Sequence, residues 1–244
     1  MIADIWTIAW KEWKEVLLQR GGGLRRGWVN LAVIVAVFGV FLPLQVGRAW
    51  VSSPMVLAAW AWVPMILVTN VVADSFAGER ERHTLETLLA SRMPDRPILL
   101  GKLLAALAYG WGTALVNLVL GLITVNIAHG RGELLLYPAA TAAGGVLLSL
   151  LMAGLAAGAG ILVSLRAPTV RQAQQTLGIA TMLLVWIPIL GINLLPKDAV
   201  ASAMQASVNP VHVLGTALVI LAIADAVLIA IAMARFQRSR LILD

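Results

Sequence analysis

Asp225 is the one carboxylate deep inside an apolar run, "VLGTALVILAIADAVLIAIAMA". An unpaired charge at that depth costs ~3 kcal/mol, so such a group marks a transport path, a proton relay or a buried pair. No Lys or Arg lies at matching depth. Two readings stay open: an ionisable site, or a protonated carboxyl hydrogen-bonded to a neighbouring helix. The other chemistry-bearing residues gather in "FAGERERHTLETLLASRMPDRPILLGK", residues 76–102. That stretch holds Glu79, Arg80, Glu81, Arg82, Glu86, Arg92, Asp95, Arg96 and Lys102, in a chain with only 12% charged residues. His83, His129 and His212 do not form a metal-ligand spacing. The chain has no cysteine, which excludes disulfides, thiolate catalysis and cysteine metal sites. No Ser/His/Asp set occurs, so no catalytic residue and no metal site is expected. Gly101–Lys102 is followed by leucine, and Arg96 stands where a phosphate-binding loop has its first glycine. ATP hydrolysis by this chain alone is therefore not expected.

The elements that must position these residues are membrane helices. The chain is 60% hydrophobic, against roughly 45–50% in soluble domains. Its apolar runs predict an all-α polytopic protein with six transmembrane spans near 28–44, 55–73, 103–127, 138–163, 176–195 and 211–234. They occupy one transmembrane domain, 1–244. Of the 18 Lys and Arg, only Arg48, Arg131 and Lys197 fall on one side of these spans. The rest fall on the other, which places both termini in the cytoplasm. The net charge of +6 follows from this bias and needs no nucleic-acid partner.

The start, "MIADIWTIAWKEWKEVLLQR", lacks an uninterrupted apolar core and a cleavage site, so it is not a signal peptide. Ile2, Ile5, Trp6, Ala9, Trp10, Trp13, Val16 and Leu17 share one helical face. Asp4, Thr7, Lys11, Glu12, Lys14, Glu15 and Gln19 take the other. Residues 1–20 are expected to form an amphipathic helix lying in the lipid interface. Residues 196–210, bounded by prolines and too short to span, are expected to form an external re-entrant segment. In the third span Ala106, Gly110, Thr113, Asn117, Gly121, Thr124 and Ala128 fall within an arc of roughly 80°. That face either permits close packing or lines a translocation path. Gly154 and Gly158 have G-x-x-x-G spacing, a packing signal.

Within residues 76–102, "TLETLLA" supplies a short helix with Leu85, Leu88 and Leu89 on one side. Pro94 ends it, Asp95 caps the next helix, and Pro97 sits in that helix's first turn. An apolar ridge inside a charged collar suits a groove in a partner. The alternative is an ordinary charged loop joining two spans.

"GERERHTLETLLASRMPDRPILLGK" resembles the signature of ABC exporter permeases of the second class: G-E-R-E-x-G-T-L-E-x-L-L, then a proline, then G-K. Gly78, Glu79, Arg80, Glu81, Thr84, Leu85, Glu86, Leu88, Leu89, Pro94, Gly101 and Lys102 match. His83 replaces the pattern's glycine, and a different local turn is expected there. The resemblance implies that 76–102 is a cytoplasmic coupling helix docking on a separate ABC ATPase. The ATPase-coupling residues would be Glu79, Arg80, Glu81, Arg82, Thr84, Leu85, Glu86, Leu88 and Leu89. It also implies two ATPase copies, which hold the ATP and Mg, and a second permease, identical or homologous, in a prokaryotic plasma membrane. Asp225, Asn117, Thr113 and Thr124 are the candidates for the translocation path. The alternative function is a self-contained ion- or proton-coupled transporter or channel using Asp225; a membrane-embedded scaffold or enzyme is a third class.

Overall fold

Backbone polar groups in hydrocarbon must find partners within their own segment, so apolar runs of this length fold as helices. The computed structural model describes residues 2–18, 24–53, 56–90, 93–194 and 210–236. Every regular element among them is helical. The chain opens with α1 (Ile2–Leu18) and α2 (Leu24–Ala36). A π-helical turn (Val37–Phe41) continues α2 into α3 (Leu42–Val46), followed by α4 (Ala49–Ser52). Then come α5 (Val56–Glu81), α6 (Leu85–Ala90), α7 (Asp95–His129), α8 (Ala139–Ser164), α9 (Val170–Leu194) and α10 (Pro210–Arg235).

Among the described residues, four helices are long and apolar enough to cross a bilayer: Ala59–Glu81, Asp95–His129, Ala139–Ser164 and Leu214–Arg235. A shorter apolar helix covers Leu31–Val46. The expected span 28–44 falls on α2, the π turn and α3, and the expected span 176–195 on α9 and the residue after it. The expected re-entrant segment lies almost wholly outside the described residues; of 196–210 only Pro210, the first residue of α10, is described. Two boundaries differ from expectation. Helix α5 runs on to Glu81, so the first charges of the signature belong to its last turns. Helix α7 takes Pro94 as its N-cap and begins at Asp95, which sits inside the first turn. At 1.5 Å per residue, its 35 residues reach about 50 Å, well beyond a ~30 Å hydrocarbon layer.

Helix α5 is the centre of the bundle, packed on α8, α7 and α9, while α1 lies on α7 and α10 on α8. Small residues set these distances. A Cβ on Gly145 would fall 1.5 Å from Trp60 Cε3 of α5. A Cβ on Gly154 would meet Asp225 Oδ2 at 2.3 Å, and one on Gly158 would meet Leu228 Cβ at 2.9 Å, both on α10. The small face of α7 is likewise filled by helices. Gly110 lies against Val68 and Pro64, and Gly121 against Trp50. The Asn117 side chain lies against Gly39. Thr124 donates to the Gly39 carbonyl at 2.9 Å, a carbonyl within the π turn. π turns disturb the regular backbone ladder, and this one presents a carbonyl to a neighbouring helix. At the far end, Arg48 donates to the His129 and Gly130 carbonyls at 3.0 and 3.2 Å, closing the C-terminus of α7.

Gly145→Ala should force α8 off α5 and destabilise the chain by roughly 1–3 kcal/mol, the usual range for overpacking. Gly112 has nothing within 4 Å of an added Cβ, so Gly112→Ala should be neutral or stabilising by up to ~1 kcal/mol. Thermal unfolding of the two variants in mild detergent checks this contrast; equal midpoints would contradict it.

Candidate functional site

The C-terminus of α5 closes as a Schellman turn. Thr84 N–H donates to the Glu79 carbonyl at 2.9 Å, and His83 N–H to the Arg80 carbonyl at 3.1 Å. This turn requires a left-handed residue at its penultimate position, normally glycine. His83 occupies it with φ 55°. The turn therefore keeps the glycine geometry, contrary to the expected local departure, and a side chain bears the strain. Gly78 has its own reason. A Cβ there would lie 2.1 Å from Asp74 Oδ1, because the Asp74–Arg82 ion pair (3.3 Å) passes over it.

Lys102 is the centre of the charged end. Its side chain is 1% exposed, and its Nζ lies 2.5 Å from Glu12 Oε1 and 3.5 Å from Glu79 Oε1. It also donates to the Ser75 carbonyl at 2.9 Å and sits 5.3 Å from the Phe76 ring centre. Glu79 is buried and accepts from Lys11 Nζ at 3.3 Å and from the Thr84 hydroxyl. Oxygens of Glu12, Glu15 and Glu79 lie within 4.8 Å of one another. Lys11 and Lys102 supply the positive charge among them. Burial on its own lowers the Lys11 pKa, but Glu79, Glu15 and Glu12 outweigh it and hold the group above its ordinary value. Its favourable interactions are thus complete below the ordinary lysine range and are lost as pH rises through the elevated pKa.

Helical periodicity puts Glu12 on the polar face, opposite the tryptophans, with no tertiary partner. The structure corrects this: Glu12 is buried with Ile8 and Ala9, while Ile2, Trp6, Trp10 and Trp13 are exposed. The neighbouring glycine explains the contact. A Cβ on Gly101 would meet Ile8 at 2.7 Å, so Gly101 seats α1 on α7 and Lys102 bonds it there. The tryptophan stripe and the buried face of α1 follow the same 3.6-residue period but lie on different sides of the helix.

Arg80 donates to the Ala167 and Leu165 carbonyls at 2.5 and 2.9 Å, which satisfies the C-terminal end of α8. Glu81 accepts from Val170 N–H at 3.2 Å, placing an anion at the N-terminus of α9. Ser164, fully buried, bonds the α5 backbone at Ala73, Phe76 and Ala77. Neither Ser164 nor Ser75 was singled out from sequence, and no local pattern marks them. The nine proposed coupling residues therefore divide. Glu79, Arg80, Glu81, Arg82 and Thr84 bind within the chain. Leu85, expected on the docking ridge, is 7% exposed and belongs to the main core with Ile8, Phe76 and Ile98. Glu86 is exposed. The side chains of Leu88 and Leu89 lie outside the described residues. Of the proposed path residues, Thr113 and Asn117 bond carbonyls of their own helix and Thr124 bonds Gly39. Asp225 is buried against Gly154, and its Oδ1 has no hydrogen-bond partner among the described residues.

These observations define a multi-pass helical membrane protein whose charged end is built around one signature segment. Residues 55–241 match the family model described as ABC-2 family transporter protein, and the chain belongs to that family. It is an ABC-2 type permease, the membrane subunit of a transporter that generally works with an ABC ATPase. No curated protein matches it.

His83→Gly should raise the thermal midpoint, because glycine removes roughly 1–2 kcal/mol of left-handed strain. The expected gain is smaller, about 0.5–1 kcal/mol, since glycine also adds freedom to the unfolded chain. A lower midpoint would show that the imidazole makes a compensating contact.

Proposed function

We propose that this chain forms the translocation path of an ATP-driven exporter and docks a separate ABC ATPase through residues 76–102. The family membership carries the reading, joined to the way the segment is built. Lys102, Arg80 and Glu81 tie it to α1, α7, α8 and α9, so a push on α6 has a direct route into the bundle. The side chains of Glu86, Thr87 and Ala90 are exposed and form the surface offered to the partner. ATP and Mg reside on that partner, in two copies, and a second permease completes the path. The chain crosses a prokaryotic plasma membrane six times with both termini in the cytoplasm, and α1 lies in the interface with its tryptophans toward lipid. Asp225 supports a second reading, an ion- or proton-coupled carrier, because its Oδ1 is buried without a hydrogen-bond partner among the described residues. Transport that persists without any ATPase would favour it.

Thr87→Trp combined with Ala90→Trp should block docking while leaving the fold intact, since both sites are exposed. Tagged chain purified from native membranes should bring down ATP hydrolysis, and the double variant should lose at least ~10-fold of it, as when central interface anchors are lost. Leu85→Asp, by contrast, should lower thermal stability, because it puts a charge into the core. Undiminished hydrolytic activity with a well-folded Trp/Trp variant would contradict docking through α6.

A further inference from the structure

We infer that Ser164 is a positioning residue that sets a pivot in α5, between its membrane-spanning part and the signature segment. The role rests on the proposed coupling function; the pivot itself is argued from geometry. Ser164 is the last residue of α8 and has no exposed surface. Its hydroxyl accepts from the Phe76 and Ala77 N–H groups at 3.1 and 3.0 Å and donates to the Ala73 carbonyl at 3.1 Å. Two further side chains act on the same turn. Ser75 Oγ donates to the Val72 carbonyl at 2.7 Å, and Lys102 Nζ to the Ser75 carbonyl at 2.9 Å. Between Val72 and Ala77, three carbonyls and two N–H groups thus have side-chain partners. Such bonds compete with the i→i−4 ladder, and helices bend where a side chain enters it.

The surroundings suit a pivot. The buried cluster packed between α5 and α9 consists of Ala73, Ala77, Ala167, Ala173 and Leu177, with the half-buried Val163 and Val170 at its edge. Alanines interlock little, so this contact resists rotation less than one built from larger side chains. Beyond the pivot, Arg80 and Glu81 hold both ends of the turn joining α8 to α9. The last turn of α5, that connecting turn and the start of α9 therefore move together, with Glu79 also tying the last turn of α5 to Lys11 of α1 and Lys102 of α7, and Ser164 is the point about which they turn. Family membership does not assign this serine a role.

The test compares Ser164→Thr with Ser164→Val in the full chain in lipid nanodiscs. The two side chains share a shape and differ by one hydroxyl. The chain has no cysteine, so Glu86→Cys and Leu134→Cys supply two unique spin-label sites. Both positions are exposed, and Leu134 precedes the opposite end of the bundle. The Val variant should shift the label-to-label distance from that of the Thr variant by about 2 Å or more, the scale of helix shifts in switching proteins. Equal distances in the two variants would overturn the pivot. So would a Val variant whose only changes are faster amide exchange at Phe76 and Ala77 and a lower thermal midpoint, because that is the signature of a purely structural clip. Neither readout involves an ATPase. Failure of the pivot therefore leaves the docking proposal standing, and failure of docking leaves the pivot standing.

Discussion

A buried ammonium needs compensation from every side, and this requirement organises the charged end of the protein. Moving an ion of that size out of water costs several kcal/mol even after relaxation. Lys102 meets the cost with Glu12 from α1, with Glu79 and the Ser75 carbonyl from α5, and with the Phe76 ring. Each partner belongs to an element that apolar packing alone would leave free to slide. The ion network therefore selects one register of α1 on α7 and one rotation of α5, and Gly101 provides the clearance that the α1–α7 contact needs.

The rest of the bundle follows a different rule. In lipid, apolar surface gives helices little reason to associate, so close contact between small residues does the work. Gly145, Gly154 and Gly158 let α8 approach α5 and α10, while Gly110 and Gly121 do the same for α7. The two rules meet at the last turns of α5. There Ser164, Lys102, Arg80 and Glu81 join α1, α5, α7, α8 and α9 by hydrogen bonds and ion pairs. The signature segment, which its sequence marks as a short helix between two spans, is in this chain also a junction of α1, α5, α7, α8 and α9.

Much of this was legible in the sequence, because hydrocarbon imposes length and composition on a span. Four of the expected spans overlap, with different bounds, helices that are long and apolar enough to cross a bilayer. The G-x-x-x-G contact and the short α6 also follow from local pattern. What escaped depends on tertiary contact. Glu12 and Lys102 are ordinary charges by type, and ninety residues separate them; only the folded chain shows that each is the other's buried partner. Leu85 fits an outward ridge as well as an inward core, because a six-residue helix has too few turns for periodicity to decide its facing. Ser164 carries no pattern at all. His83 was read as a departure from glycine, although the turn's hydrogen bonds force the glycine conformation on whichever residue stands there.

The most direct test of this account is a double-mutant cycle on Glu12 and Lys102 in the full-length chain, followed by unfolding from mild detergent. Lys102→Met alone should cost about 3 kcal/mol or more, because it leaves Glu12 and Glu79 buried without their main cation. Glu12→Gln in the Lys102→Met background should recover a large part of that loss, for a coupling energy of at least ~2 kcal/mol. Additive effects, agreeing within about 0.5 kcal/mol, would mean that the two groups do not act as a pair. In that case the buried ammonium could not be the constraint that fixes α1 to the signature segment.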